Sequence, residues 1–305
     1  MGLLEAIILS ILAASTPLLI AATGELITER AGVLNLGVEG MMIMGAACGF
    51  GGALLTGSII IGAICGMAAG MALSLIFAMM ALGLAVNQVA SGLALTILGT
   101  GLSGLIGAGF VGARITPAPH LYIPGLTDIP FAGRIPFGED PFVYLSLLLV
   151  IAVWLFLYRT RAGLVLRAAG DNHTSAHALG YPVLGIRTCA VMFGGACAGL
   201  AGAYLPLAYT PFFIPGMTAG RGWIALALVV FSSWRPGRLV AGAYLFGAVT
   251  ILQLHTQALG LGIPSQFMSA LPYLATVIVL VLISRARTGG STAPAALGTA
   301  FVPDR

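Results

Sequence analysis

Apolar residues run along this chain in long blocks separated by short polar stretches. A helix crossing a bilayer needs about 20 consecutive apolar residues. Blocks of that order occupy residues 3–23, 32–53, 58–82, 88–112, 141–158, 188–209, 238–256 and 270–284. A further block, Trp223 to Trp234, spans only about 12 residues and predicts a short, broken or re-entrant helix near 222–234. The pattern predicts an all-α, polytopic helical membrane protein with about nine transmembrane helices, within a range of about 8–10. Residues 1–287 form a single transmembrane domain in this reading.

Three segments break the apolar pattern at length. Residues 113–140, ARITPAPHLYIPGLTDIPFAGRIPFGED, are rich in proline and turn residues. Their aromatic and isoleucine side chains need burial, so they read as a structured cap or docking loop rather than a linker. Residues 157–187, LYRTRAGLVLRAAGDNHTSAHALGYPVLGIR, hold four of the thirteen arginines, two of the four histidines and an isolated Asp171. Membrane proteins keep water-facing segments short unless something docks on them, so this interlude raises the question of a partner. The tail 288–305, TGGSTAPAALGTAFVPDR, is small and polar and is predicted to be disordered.

Composition supports the membrane reading. Apolar residues make up 59% and charged residues 7%, against roughly 25% charged in a soluble domain; the mean hydropathy is +1.06. All thirteen basic residues are arginine. Without lysine the chain has no Walker A lysine for a nucleotide's phosphates and no Schiff-base chemistry. Energy for any driven process then comes from an ion gradient or a partner. Cys48, Cys65, Cys189 and Cys197 lie in apolar runs without CxxC spacing and read as small hydrophobes. The first block carries Glu5 and no early basic residue, so it reads as a span rather than a cleaved signal.

With the 159–187 loop in the cytoplasm, alternation puts nine arginines inside, namely Arg30, Arg159, Arg161, Arg167, Arg187, Arg235, Arg238, Arg285 and Arg287. Arg114, Arg134 and Arg221 fall outside. The bias follows the positive-inside rule and makes the C-terminus cytoplasmic.

Within the spans, Gly62, Gly66 and Gly70 form one small-residue ridge, and Gly195 and Gly199 a second. Small residues four apart let helix backbones approach closely. Asn35 and Glu39 are four apart and are expected on one helix face, while Asn87, Gln88 and Ser91 open the fourth span. Polar side chains in hydrocarbon face cavities or one another. These suit a hydroxyl- and amide-bearing substrate, or else hydrogen bonding that holds the bundle together. Glu25, Glu29 and Arg30 are expected to form an interfacial salt bridge. Arg221 is expected to precede the short helix on the external side, lining its mouth or reaching the interface. Trp223 and Trp234 bracket that helix as interfacial anchors would. Asp171, Asn172 or Thr174 can cap a short helix that Gly180 and Pro182 end. His173 and His177 share metal-like spacing, but HTSAH lacks the glutamate of HExxH and a further ligand, so no metal is expected.

Four segments carry a resemblance: TPLLIAATGELITERAGVLNLGVEGMMIMGA at 16–46, NQVASGLALTILGTGL at 87–102, the run from Arg159 to Leu205, and TAGRGWIALALVVFSSWRPGRLVAGAYLFG at 218–247. With IPGLTDIP at 123–130, they resemble permease subunits of ATP-binding-cassette (ABC) importers. The superfamily is that of branched-chain amino acid and simple-sugar permeases, and the branch is the nucleoside one served by basic-membrane-protein lipoproteins. The resemblance covers nearly the whole chain. It implies a translocation subunit, not itself an enzyme, in the bacterial cytoplasmic membrane. Its implied partners are ABC ATPase subunits, a second and longer permease, and an extracytoplasmic substrate-binding lipoprotein. No cofactor and no nucleic acid are implied.

The resemblance also implies that a short cytoplasmic helix sits in a groove of the ATPase. Its matching residues here are Arg167, Ala168, Gly170, Asp171, Asn172 and the stretch from Ser175 to Gly180, with His173, Ala176 and Gly180 on the docking surface. The family commonly carries a glutamate where Asp171 stands. The substrate path is expected at Asn35, Glu39, Asn87, Gln88, Ser91 and Arg221, for a small polar nutrient, foremost a nucleoside. The alternatives are a simple sugar such as a pentose, or a gradient-driven secondary transporter with Glu39 as its only suitable carboxylate. An intramembrane enzyme is disfavoured, because no GxSxG, HExxH or paired intramembrane aspartate occurs.

Overall fold

The computed structural model describes residues 3–122, 137–258 and 293–302, with a few single positions between 267 and 281. Among these, ten helices follow one another: α1 (Leu3–Arg30), α2 (Val38–Thr56), α3 (Ile59–Ala78), α4 (Gln88–Gly107), α5 (Pro141–Arg159), α6 (Arg161–Asp171), α7 (His173–Ala178), α8 (Val183–Tyr204), α9 (Arg221–Phe231) and α10 (Pro236–Ala258). Single π-helical turns extend α3 over Met79–Gly83 and α8 over Leu205–Tyr209. No strand forms among the described residues beyond an isolated antiparallel bridge between Arg114 and Phe212.

Seven of these elements are long and apolar enough to cross a membrane: Leu4–Arg30, Val38–Thr56, Ile59–Gly83, Gln88–Phe110, Pro141–Arg159, Val183–Tyr209 and Pro236–Gln257. The protein is thus a polytopic helical membrane protein. Half of the 113–140 segment, residues 123–136 with IPGLTDIP among them, and all but single positions of the predicted span 270–284 lie outside the described residues.

Helices α1, α2 and α8 form the centre, with α3 and α4 on one flank and α5, α9 and α10 on the other. Lipid is as apolar as leucine, so burial does not drive these helices together and close backbone contact must. The glycine ridges supply it. A Cβ on Gly199 of α8 would strike the Gly66 carbonyl of α3, and one on Gly45 of α2 would strike the backbone of Gly199. Gly70 meets Gly195 in the same way. The outer faces of α3, α4 and α5 expose Ile64, Ile97, Leu105, Leu148 and Ile151, as lipid- or partner-facing helices do.

Two boundaries differ most from the sequence reading. Helix α1 continues past residue 23 to Arg30 because its polar last turns find internal partners; Thr28 Oγ1 lies 3.3 Å from both Gly24 O and Ala190 O. Helix α2 starts at Val38 rather than near residue 32. Gly32 takes φ +85°, and Asn35 Oδ1 accepts from Gly37 N at 2.9 Å. Asn35 therefore lies in the connecting turn, not on a helix face shared with Glu39.

The short helix is real. At 1.5 Å per residue, the eleven residues of α9 rise about 16 Å, roughly half the hydrocarbon thickness. Trp234, expected at an interface, is buried at 4% exposure just beyond its end. The indole donates to Glu29 Oε2 at 2.6 Å, and the carbonyl accepts from Arg30 Nη2 at 2.8 Å. The expected salt bridge among Glu25, Glu29 and Arg30 does not form, since Trp234 takes both Glu29 and Arg30.

On the face opposite the 160–187 segment, Asp140 caps α5 by accepting from Phe142 N at 2.8 Å. A polar pocket of about 410 Å³ opens beside it, lined by His120, Glu139, Asp140, Tyr204, Tyr209 and His255. Glu139 is buried and its Oε1 has no hydrogen-bond partner. Burial first, and then the Asp140 charge, push its carboxyl up to about 7.

Two outcomes are expected. Gly199→Ala should lower stability in detergent by about 1–3 kcal/mol through overpacking. Gly101→Ala, where a Cβ meets nothing within 4 Å, should be neutral or slightly stabilising. Equal thermal shifts in the two variants would refute the ridge contact. For Glu139, the folded protein binds more protons than the unfolded chain between the ordinary value of 4.5 and about 7, so stability should fall as pH rises through that window. Glu139→Gln should flatten that part of a Tm-versus-pH curve.

Candidate functional site

The interlude from 157 to 187 folds into two helices rather than a loop carrying one. Thr160 caps α6, its hydroxyl accepting from Gly163 N at 3.0 Å. The apolar side of α6 packs inward through Leu166 and Ala169. Arg167 lies over the Tyr158 ring with its guanidinium carbon 5.2 Å from the centroid, and Arg159 lies over Trp154 at 5.9 Å. Both cations thereby sit against aromatic faces at the end of α5.

Three residues were open as the cap of the short helix, and Asn172 takes the position. Its Oδ1 accepts from Ser175 N at 2.9 Å. Gly180, at φ +85°, ends the segment as its N–H reaches His177 O at 2.8 Å. Asp171 ends α6 and is exposed, whereas Ala176 is the buried residue of α7. Arg167, Asp171, Asn172, His173, Ala176 and Gly180 thus share one compact corner of the molecule.

The tail 288–305 was expected to be disordered; of it, residues 293–302 are among those described. Residues 293–302 cross this corner in a defined turn. Ala296 N donates to Gly170 O at 3.0 Å, and Gly298 N to Gly32 O at 3.2 Å. Phe301 is 8% exposed and packs with Ala169, Ala176 and Val183. Its ring centroid is 5.1 Å from that of His173 and 5.3 Å from that of His177. The histidine pair with metal-like spacing grips an aromatic ring. Composition had hidden the segment because its binding energy lies in backbone bonds and one phenylalanine.

Arg187 organises the corner, and sequence reading had used it only as a positive charge. It is fully buried without a carboxylate partner among the described residues. Nε donates to Ala31 O at 3.0 Å, Nη1 to Thr299 O at 3.1 Å, and Nη2 lies 3.3 Å from His173 Nδ1. Backbone carbonyls satisfy this cation in place of an acid. Burial first, and then the Arg187 charge, hold the His173 imidazole below its ordinary value, so that it accepts from the guanidinium.

The polar residues of the spans fall into two groups. Glu39 is committed to α9: Oε1 accepts from Thr218 Oγ1 at 2.6 Å and Gly220 N at 2.9 Å, and Oε2 from Gly222 N at 2.6 Å. An anion at a helix N-terminus compensates its dipole and its unpaired N–H groups. Arg221 begins that helix and is half-buried, with Nη1 3.0 Å from Met217 O and 3.3 Å from Thr218 O. Because α9 ends beside Arg30 and rises only about 16 Å, Arg221 stands level with Glu39 and not at the opposite surface.

The second group lines the start of α4. Asn87 is exposed and caps the helix, accepting from Ala90 N at 3.0 Å. Gln88 Oε1 accepts from Leu34 N at 2.8 Å. Gln88 Nε2 and Ser91 Oγ are buried without partners. Asn35 sits nearby in the same connection, fully buried, with its Nδ2 3.6 Å from Met41 Sδ.

Comparison with known proteins fits this architecture. Residues 7–289 match the family described as branched-chain amino acid transport system, permease component. A putative glucose ABC transporter permease of Haloferax volcanii is 44% identical, over 88% of this chain and 88% of its own. A guanosine ABC transporter permease of Bacillus subtilis is 32% identical over 98% and 97% of the two chains. A nucleoside ABC transporter permease of Lactococcus lactis is 31% identical over 99% and 98%. With its polytopic helical fold and a match over nearly its whole length, this chain belongs to the permease-component family of branched-chain amino acid transport systems and is a multi-pass ABC transporter permease for a small polar substrate.

Proposed function

We propose that this permease is half of the translocation path of an importer for nucleosides, driven by ABC ATPase subunits that dock on α7. The face bearing α6, α7 and the tail is then cytoplasmic, a reading that the excess of arginines on that side supports. An extracytoplasmic lipoprotein delivers substrate at the opposite face, and a second, longer permease completes the path. The observation that carries the reading is the polar cluster at the start of α4, at the end of the bundle nearest Arg30. Exposed Asn87 stands in front of the buried Gln88 Nε2 and Ser91 Oγ, which have no hydrogen-bond partner, and these uncharged groups suit a substrate rich in hydroxyl and amide groups once movement of the helices uncovers them. Asn35 adjoins that cluster from the neighbouring turn. Glu39 and Arg221 act on the path by holding the start of α9, a half-helix of the kind that frames transporter sites.

The guanosine- and nucleoside-named relatives favour nucleosides. The glucose-named relative favours a sugar, and the same uncharged groups would serve one. ATP hydrolysis by the complex, reconstituted with ATPase, receptor and second permease, separates the two readings. Stimulation by nucleosides is expected. Stimulation by a hexose or pentose and by no nucleoside would overturn the assignment.

Asp171→Arg reverses the charge beside the α7 cap. It is expected to cut uptake about tenfold or more, the scale of a broken charged contact at an interface, while receptor binding persists. Unchanged uptake in proteoliposomes would show that α7 is not the ATPase contact.

A further inference from the structure

The C-terminal segment has no place in the path or in the expected coupling helix, yet it touches every element around that helix. Helix α7 has six residues, too few to hold itself together in water. Asn172 and the Leu179–Gly180 turn join it to its neighbours, so it is poorly mounted by its own chain. A docking helix transmits force only as well as it is anchored.

We propose that residues 293–302 are a positioning strap for the ATPase-docking surface, fixing α7 to the ends of α1 and α8 so that ATPase movement reaches the membrane helices. The proposal rests on the reading of α7 as the coupling helix. Three separate attachments support it. Phe301 lies against His173 and His177, one on each turn of α7, and against Val183 in the first turn of α8. The Ala296 and Gly298 amides bond to Gly170 at the end of α6 and Gly32 at the exit of α1. Arg187 of α8 grips Thr299 O, Ala31 O and His173 together. One guanidinium thus ties the strap, α1 and α7 to α8. Beyond these contacts, Val302 and Leu179 remain 69% and 78% exposed. These are apolar side chains beside the docking helix, of the kind an ATPase groove covers.

The test uses the full complex in proteoliposomes and reads substrate imported per ATP hydrolysed. Phe301→Ala, Phe301→Tyr and a chain ending at Thr292 are compared with Asp171→Arg and the unaltered protein. Phe301→Ala and the shortened chain are expected to lower the ratio about tenfold, equivalent to ~1.4 kcal/mol. Folded permease should still be recovered in each case, with a lowered Tm because Phe301 is buried and Thr299 O holds Arg187, and Phe301→Tyr should restore the ratio. Should the shortened chain misfold, Phe301→Ala alone still decides. An unchanged ratio in Phe301→Ala while Asp171→Arg fails would overturn the strap and leave the coupling helix standing. Normal transport by Asp171→Arg would remove the coupling-helix reading, and the strap with it. An equal loss in Phe301→Tyr and Phe301→Ala would also reject the aromatic anchor.

Discussion

The rest of the structure depends on backbone-to-backbone contact of α8 with α2 and α3. Hydrocarbon removes the usual reward for burying leucine, so helices associate through close van der Waals packing and polar contacts. Gly45, Gly66, Gly70, Gly195 and Gly199 bring three backbones together where a single methyl group would collide with a carbonyl or Cα. Around this seam α1 passes through the middle, and α5, α9 and α10 lean on α1. The closest packing lies at the seam, while the outer faces of α3, α4 and α5 expose apolar side chains.

Where helices break inside this bundle, a side chain supplies what the missing turn would have provided. The Glu39 carboxylate takes the orphan N–H groups at the start of α9, and Glu29 and Arg30 take Trp234 just past its end. Helix α9 is therefore tied to α2 at one end and to α1 at the other, and a shift of either carries it along. Gln88 does the same for the turn before α2 by accepting from Leu34 N. These bonds satisfy backbone groups that hydrocarbon would leave stranded at a cost of several kcal/mol each. Gln88 Nε2 and Ser91 Oγ are left over, buried at the start of α4 without hydrogen-bond partners.

At the face bearing α7, the organising group is a buried cation. Arg187 is held by carbonyls from α1 and the tail and by a histidine from α7. A guanidinium directs its donors in a fixed fork, so these elements keep a set geometry relative to α8. The two histidines complete the corner by enclosing Phe301. A region that composition marks only as basic and polar folds as two short helices crossed by residues 293–302.

Much of this was legible from residue order. Apolar blocks and glycine spacing determined the membrane class, most of the spans, the shortness of α9 and the close-packed ridges, because each depends on residues near one another in the chain. Asn172 and Gly180 were readable as a cap and a terminator for the same reason. The tertiary structure alone decided what depends on distant partners. It removed Asn35 from the helix, gave Glu39 to α9, and replaced a salt bridge at Arg30 with contacts to Trp234. It also brought residues 293–302 across to α7. A polar side chain in a membrane bundle is satisfied by whichever group packing brings to it, often 100 residues or more away. Local pattern shows that such a partner is needed, and only the packed fold shows which one it is.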